Sequence, residues 1–123
     1  MKKLRLILPY PPSELLPNKH THWSVKAKAT REARKTAYWM ILEQRGIGKD
    51  KPMDSVALDI TFYPAIGRGL DYDNMLTCCK PYLDSMTDAK IIKDDSSKVI
   101  KLVSLRVGEK SDEPRTEIIV EEV

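Results

Sequence analysis

Only two of the 123 residues are cysteine, Cys78 and Cys79, and they are adjacent. Neighbouring cysteines rarely close an unstrained disulfide, so a disulfide-framework peptide is excluded and a soluble protein of the reduced cytoplasm is expected. Histidine is equally scarce. His20 and His22 have no further Cys or His with which to complete a tetrahedral zinc site, and phosphate contact or plain loop structure is the reading there. Of the five glycines, Gly67 and Gly69 lack the third member of a nucleotide-binding fingerprint. No apolar run approaches the roughly 20 residues that a membrane span needs. The opening stretch to Tyr10 has too few apolar residues before Pro9 to act as a secretory signal.

What the chain does have is charge on a globular background: 41% hydrophobic and 32% charged residues argue for one packed domain over 1–123 rather than a disordered tail. The net charge of +3 conceals a division. Residues 1–50 carry 11 Lys or Arg against four acidic residues, whereas Asp71, Asp73, Asp84, Asp88, Asp94 and Asp95 crowd into 25 positions of the second half. A basic surface beside a knot of carboxylates suits a protein that binds polyphosphate and holds a cation against it. Charge runs are also commonly no more than solvated faces, so the pattern alone decides nothing.

Lys3 to Leu8 alternates weakly and reads as a strand stopped by Pro9, Pro11 and Pro12. Ser24 is a suitable N-cap for a helix to about Arg45, ended by Gly46. Val25, Ala29, Ala33, Ala37, Met40, Ile41 and Gln44 form its apolar stripe, and Lys26, Lys28, Arg31, Arg34 and Lys35 fall elsewhere on the wheel. Val56 to Phe62 alternates cleanly as a half-buried strand ending at Pro64. Asn74 to about Met86 reads as helix, with a kink or a fresh start expected at Pro81. Lys98 to Val107 is expected to be the longest strand, and Thr116 to Val120 the last. The order β-α-β-α-β-β predicts an α/β (α+β) fold: a small mixed sheet of about four strands with two main helices, its final pair able to form a hairpin. Trp23 and Trp39 are expected to pack, although Trp23 in a polar loop suits base stacking; Cys78 and Cys79 are expected in the core.

Asp71 and Asp73 stand two apart before a helix. In extended backbone such residues point to one side and can share a hard cation through oxygen. Asp73 as an N-cap is the competing reading. Asp94-Asp95 by itself reads as a turn. Lys80 lies seven residues beyond Asp73, nearly the same helical face after about 700° of rotation, where an amine can neutralise a phosphoryl transition state; an ordinary surface lysine is the alternative.

Taken together, Asp71-Tyr72-Asp73-Asn74, Lys80-Pro81-Tyr82-Leu83-Asp84 and Ile92-Lys93-Asp94-Asp95-Ser96, with the Pro-rich opening Leu8-Pro9-Tyr10-Pro11-Pro12-Ser13, resemble the RusA family of Holliday junction resolvases. The resemblance implies a homodimeric, Mg²⁺-dependent endodeoxyribonuclease, with Mn²⁺ as a substitute, that makes paired symmetric nicks in four-way DNA junctions. It implies a role in DNA recombination and repair and residence in a prophage. Asp71, Asp73 and Asp95 then become metal-binding carboxylates, with Asp94 a further metal candidate although the second Asp of the pair is the family's usual ligand, and Lys80 the catalytic lysine. Asp84 matches a motif position but lies on a helix, where a structural role is the reading. Lys26, Lys28, Arg31, Arg34 and Lys35, with Lys19, His20 and Arg68 nearer the site, are the candidates for DNA backbone contact. A non-catalytic DNA-binding module of the same fold, or a nuclease for other branched DNA, is the rival reading.

Overall fold

The computed structural model describes residues 2–16, 22–45, 51–67 and 71–123. Strand β1 (Lys3–Pro9) leads through a short 3₁₀ turn at Ser13–Leu15 to helix α1 (Trp23–Arg45). Strand β2 (Val56–Tyr63), helices α2 (Tyr72–Cys78) and α3 (Lys80–Asp88), and strands β3 (Ile100–Val107) and β4 (Arg115–Glu122) follow. The expected order holds, with the second helical segment divided in two around Cys79. The break falls two residues ahead of Pro81 because proline, lacking an N–H, suits the first turn of a new helix, where no intrahelical partner is needed.

The four strands make one mixed sheet in the order β1-β4-β2-β3. β4 pairs antiparallel with both β1 and β2, and β2 pairs parallel with β3. The hairpin expected between β3 and β4 is therefore not formed. Ile118 and Val120 explain why: both are fully buried, and a central position covers them on two sides. β3, exposing Lys101, Leu102, Val103 and Arg106, is the edge strand instead. It begins at Ile100 rather than Lys98 and is no longer than β2 or β4.

β2 alternates buried and half-buried residues along its whole length, and Leu6 and Leu8 do the same for β1. Their buried sides meet Ala37 and Ile41 of α1 and Met75, Cys79, Tyr82 and Met86 of α2 and α3 in one core. The α1 stripe is narrower than its sequence suggests, since Val25 is largely exposed and Gln44 does other work. Gln44 accepts the Ile7 N–H at 2.6 Å and donates to the Ile7 carbonyl at 2.6 Å, covering the free edge of β1. Trp23 and Trp39 stay out of the core: they are 75% and 60% exposed and meet the rings of His22 and Tyr38. Ser24 is not the cap of α1. The His22 carbonyl receives the N–H groups of Val25 and Lys26, and His22 Nδ1 accepts that of Ser24 at 3.1 Å. Gly46, the expected stop of α1, lies outside the described residues.

Candidate active site

Pro64 follows β2, and Asp71 occupies the N-cap position of α2 with φ −75° and ψ 129°. Its carbonyl accepts the Met75 N–H at 3.1 Å, while its carboxylate makes no capping bond. Asp73 is already inside the first turn, so the helix entry rather than strand alternation relates the two residues. Asp73 Oδ1 accepts the Asn74 N–H at 3.0 Å. Both carboxylates are exposed, and among the described residues neither takes part in an ion pair.

Lys80 opens α3 and sits between two other carboxylates. Its Nζ is 2.5 Å from Asp95 Oδ2 and 3.0 Å from Asp84 Oδ1. Asp84 Oδ2 is in turn 3.7 Å from Arg34 Nη1, and Arg34 grips Asp88 with Nε and Nη2 at 2.7 and 2.8 Å. A chain of alternating charge thus runs Asp95–Lys80–Asp84–Arg34–Asp88. Bonding to Asp95, and then to Asp84, raises the Lys80 ammonium above the usual lysine range. Lys80 in return holds the Asp95 carboxyl below its ordinary value, and Arg34 does the same for Asp88.

Local backbone geometry delivers Asp95 to this place. α3 ends in a Schellman arrangement, with Ile91 N–H bonded to the Met86 carbonyl at 2.9 Å and Lys90 N–H to the Thr87 carbonyl at 3.1 Å. Lys90 takes the left-handed position at φ 61°, usually a glycine's. Buried Ile91 and Ile92 then tie the returning chain to Met53. Asp94 is exposed, and its Oδ1 accepts the Asp95 N–H at 2.7 Å.

The structure brings Lys80 and Asp95 together, adds Asp84, and leaves Asp71 and Asp73 at the mouth of α2. Among the described residues no three His, Cys, Asp or Glu side chains are gathered to hold a metal ion. Magnesium does not demand such a cage: it keeps several waters and takes one or two carboxylates together with substrate phosphate. The uncommitted oxygens of Asp71 and Asp73 fit that donor chemistry, whereas Asp95 is engaged with Lys80. Beside them, Tyr10, Pro11, Leu16, Phe62 and Ile66 line an apolar cleft of about 650 Å³, with Asp71 and Asn74 also in its wall.

The basic candidates separate into groups. Arg31 and Lys35 are exposed on α1, Lys28 lies 4.0 Å from Glu32, and Lys26 Nζ donates to the Leu16 carbonyl at 3.3 Å. Arg34 is engaged by Asp88 and Asp84. Lys19, His20 and Arg68 lie outside the described residues. The four-residue spacing of Lys80 and Asp84 is legible as a helical pair. Nothing in the sequence marks Arg34 as the partner of Asp88, 54 positions away.

Comparison with known proteins assigns the class. The family model "Endodeoxyribonuclease RusA" matches residues 9–121, and the chain belongs to that family. A relative described as an uncharacterized protein of Xylella fastidiosa (strain Temecula1 / ATCC 700964) is 39% identical over 90 residues, 72% of this chain. That match spans 59% of the relative's own length. No helix among the described residues is long and apolar enough to cross a membrane.

Proposed function

We propose that residues 1–123 form a single cytoplasmic endonuclease domain that resolves four-way DNA junctions by paired nicks, using Mg²⁺ held by Asp71, Asp73 and Asp95. The observation that carries this reading is the close pairing of Lys80 with Asp95 after α2, a helix whose entrance bears two exposed carboxylates that form no ion pair among the described residues. When bound, the divalent ion would supply Lewis-acid charge at the scissile phosphate and a bound water more acidic than bulk water. The remaining work belongs to the chain. Because its carboxylate partners raise its pKa, Lys80 stays protonated and acts as a fixed positive charge and hydrogen-bond donor, not as a general base. Its place is beside the nonbridging or departing oxygen of the phosphodiester. Arg31, Lys35, Lys28 and Lys26 on α1 hold the DNA backbone by neutralising phosphates, and the junction is recognised by its shape. Two symmetric nicks require two sites related by a twofold axis, which a homodimer supplies.

A synthetic mobile junction incubated with Mg²⁺, and with chelator, tests the proposal. Both incisions should map symmetrically across the branch point, and Asp73→Asn should bind the junction without cutting it. Binding should weaken steeply with added salt. Undiminished cleavage by Asp73→Asn rejects the assignment. Cleavage confined to flaps or forks redirects it to other branched DNA.

A further inference from the structure

We propose that the groove between α1 and the end of α3 is a seat for a backbone phosphate of DNA other than the scissile one, gripped by Lys90 together with Arg31 and Lys35. The proposal rests on the DNA reading given above and adds to it a residue that the run of cations on α1 does not contain. Arg31 and Lys35 stand four apart on α1 and so share a face of that helix. Lys90 follows the end of α3, and all three side chains line one groove of about 690 Å³. Arg34 and Asp88 line it as well, but they are joined to each other by two bonds of 2.7 and 2.8 Å. The negative charge of Asp88 is thus spent on Arg34. Arg31, Lys35 and Lys90 are exposed and form no ion pair among the described residues. Like charges around one depression repel one another, and an anion seated among them relieves that repulsion.

The backbone supplies an independent observation. Lys90 holds the left-handed position of the Schellman turn at φ 61°, where glycine sits without strain and a residue bearing a Cβ costs stability. A strained residue whose side chain lines a charged groove is one whose side chain has a use. A cation there also suits the carbonyl end of α3, so stability by itself does not define that use. The place of the groove selects the ligand. α3 begins at Lys80, and its nine residues, at about 1.5 Å each, put the far end about 12 Å away. That is three or four nucleotides along a strand, at about 3.4 Å for each. A strand whose scissile phosphate meets Lys80 therefore carries a second phosphate to the groove. Contact there fixes the register of the strand and carries no sequence information. The seat cannot collapse when empty, because Ser85 Oγ donates to the Arg34 carbonyl at 2.6 Å and ties α3 to α1.

The experiment compares the wild type, Lys90→Gly, Lys90→Arg and Lys3→Gln in two measurements: urea unfolding, and fluorescence anisotropy of a labelled four-way junction across a range of salt, with chelator present to prevent cutting. Lys3 serves as the control because it lies on the sheet face opposite Leu6 and Leu8, away from the helices. Lys90→Gly removes the cation and relieves the backbone, so it should unfold at higher urea and yet bind the junction more weakly. The loss should reach up to about eightfold at about 0.1 M salt, the factor that a slope of about −0.9 per phosphate gives relative to 1 M. The salt slope should become shallower by about one for each bound copy of the chain. Lys90→Arg keeps the charge and should bind as the wild type does. Lys3→Gln removes an equal charge and should leave the slope unchanged. A stabilised Lys90→Gly with wild-type affinity and slope overturns the seat and leaves the junction reading standing. Equal weakening by Lys3→Gln also overturns it, since net charge then explains the effect. If the wild type binds no junction at all, the DNA reading fails and the seat falls with it.

Discussion

The Pro9 carbonyl offers a quantitative test of how α3 is fastened to the sheet. Ile7 turns its N–H and carbonyl away from β4 toward Gln44, so the alternation of an antiparallel ladder points the Pro9 carbonyl off the ladder as well. It is met by two side chains, the Tyr82 hydroxyl at 2.6 Å and Thr116 Oγ1 at 3.0 Å. Both donors are almost fully buried, at 1% and 0% exposure, and burial raises the Tyr82 pKa far enough that its hydroxyl remains a donor at every working pH. Tyr82→Phe removes one donor without changing the shape of the core, and the oxygen keeps the other. The net cost should be about 1 kcal/mol, and the same holds for Thr116→Val. Removing both leaves the carbonyl without a side-chain donor and adds a desolvation penalty, so the double variant should lose about 1 kcal/mol more than the sum of the singles. Urea unfolding followed by circular dichroism, with equal m-values across the four proteins, reads the coupling directly. Additivity to within about 0.4 kcal/mol would show that the two hydroxyls act independently and refute the shared-acceptor argument.

Three further outcomes are expected. Gln44→Ala should cost about 1 kcal/mol in urea unfolding and promote self-association in light scattering, because it uncovers the Ile7 edge groups of β1. Lys90→Gly should raise stability by up to about 1 kcal/mol, since φ 61° strains any side chain bearing a Cβ. Asp88 is held below its ordinary value of 3.8 by Arg34, so the α1–α3 clamp stabilises the fold above that pH and is lost as pH falls through the depressed value. The urea midpoints of wild type and Asp88→Asn should therefore differ most near about pH 6 and converge in strong acid.

Much of the architecture was legible because its cause is local. The period-two burial of Val56, Leu58, Ile60 and Phe62, the prolines that stop β1 and β2, and the restart of helix around Pro81 all follow from short-range sterics and solvation. The order of strands was not. That β4 enters between β1 and β2 depends on which neighbours best cover Ile118 and Val120, a competition decided across more than a hundred residues. Contacts of that reach leave no mark in a window of sequence. The same holds within the site. Lys80 and Asp84 declare themselves by spacing, whereas Arg34 reads like any other cation on α1 until Asp88 is seen opposite it. Glu117 is a further case. Its alternation suggests an ordinary outward carboxylate, yet it is buried between Arg5, with contacts of 2.5 and 3.0 Å, and Arg115 at 2.7 Å. Burial alone would raise its pKa, but the two guanidinium groups outweigh that and hold it low.

The central place of β4 has a consequence for biosynthesis. Among the described residues, β1 is hydrogen-bonded to no strand but β4, and β2 has β3 on its other side. A nascent polypeptide emerging from the ribosome can form α1 and the β2-to-β3 crossover early, yet it must hold β1 unmated until residues 115–122 clear the exit tunnel. Premature termination upstream of Arg115 would thus yield a product whose β1 lacks its ladder partner and whose core lacks Ile118 and Val120, fit for degradation rather than for partial function.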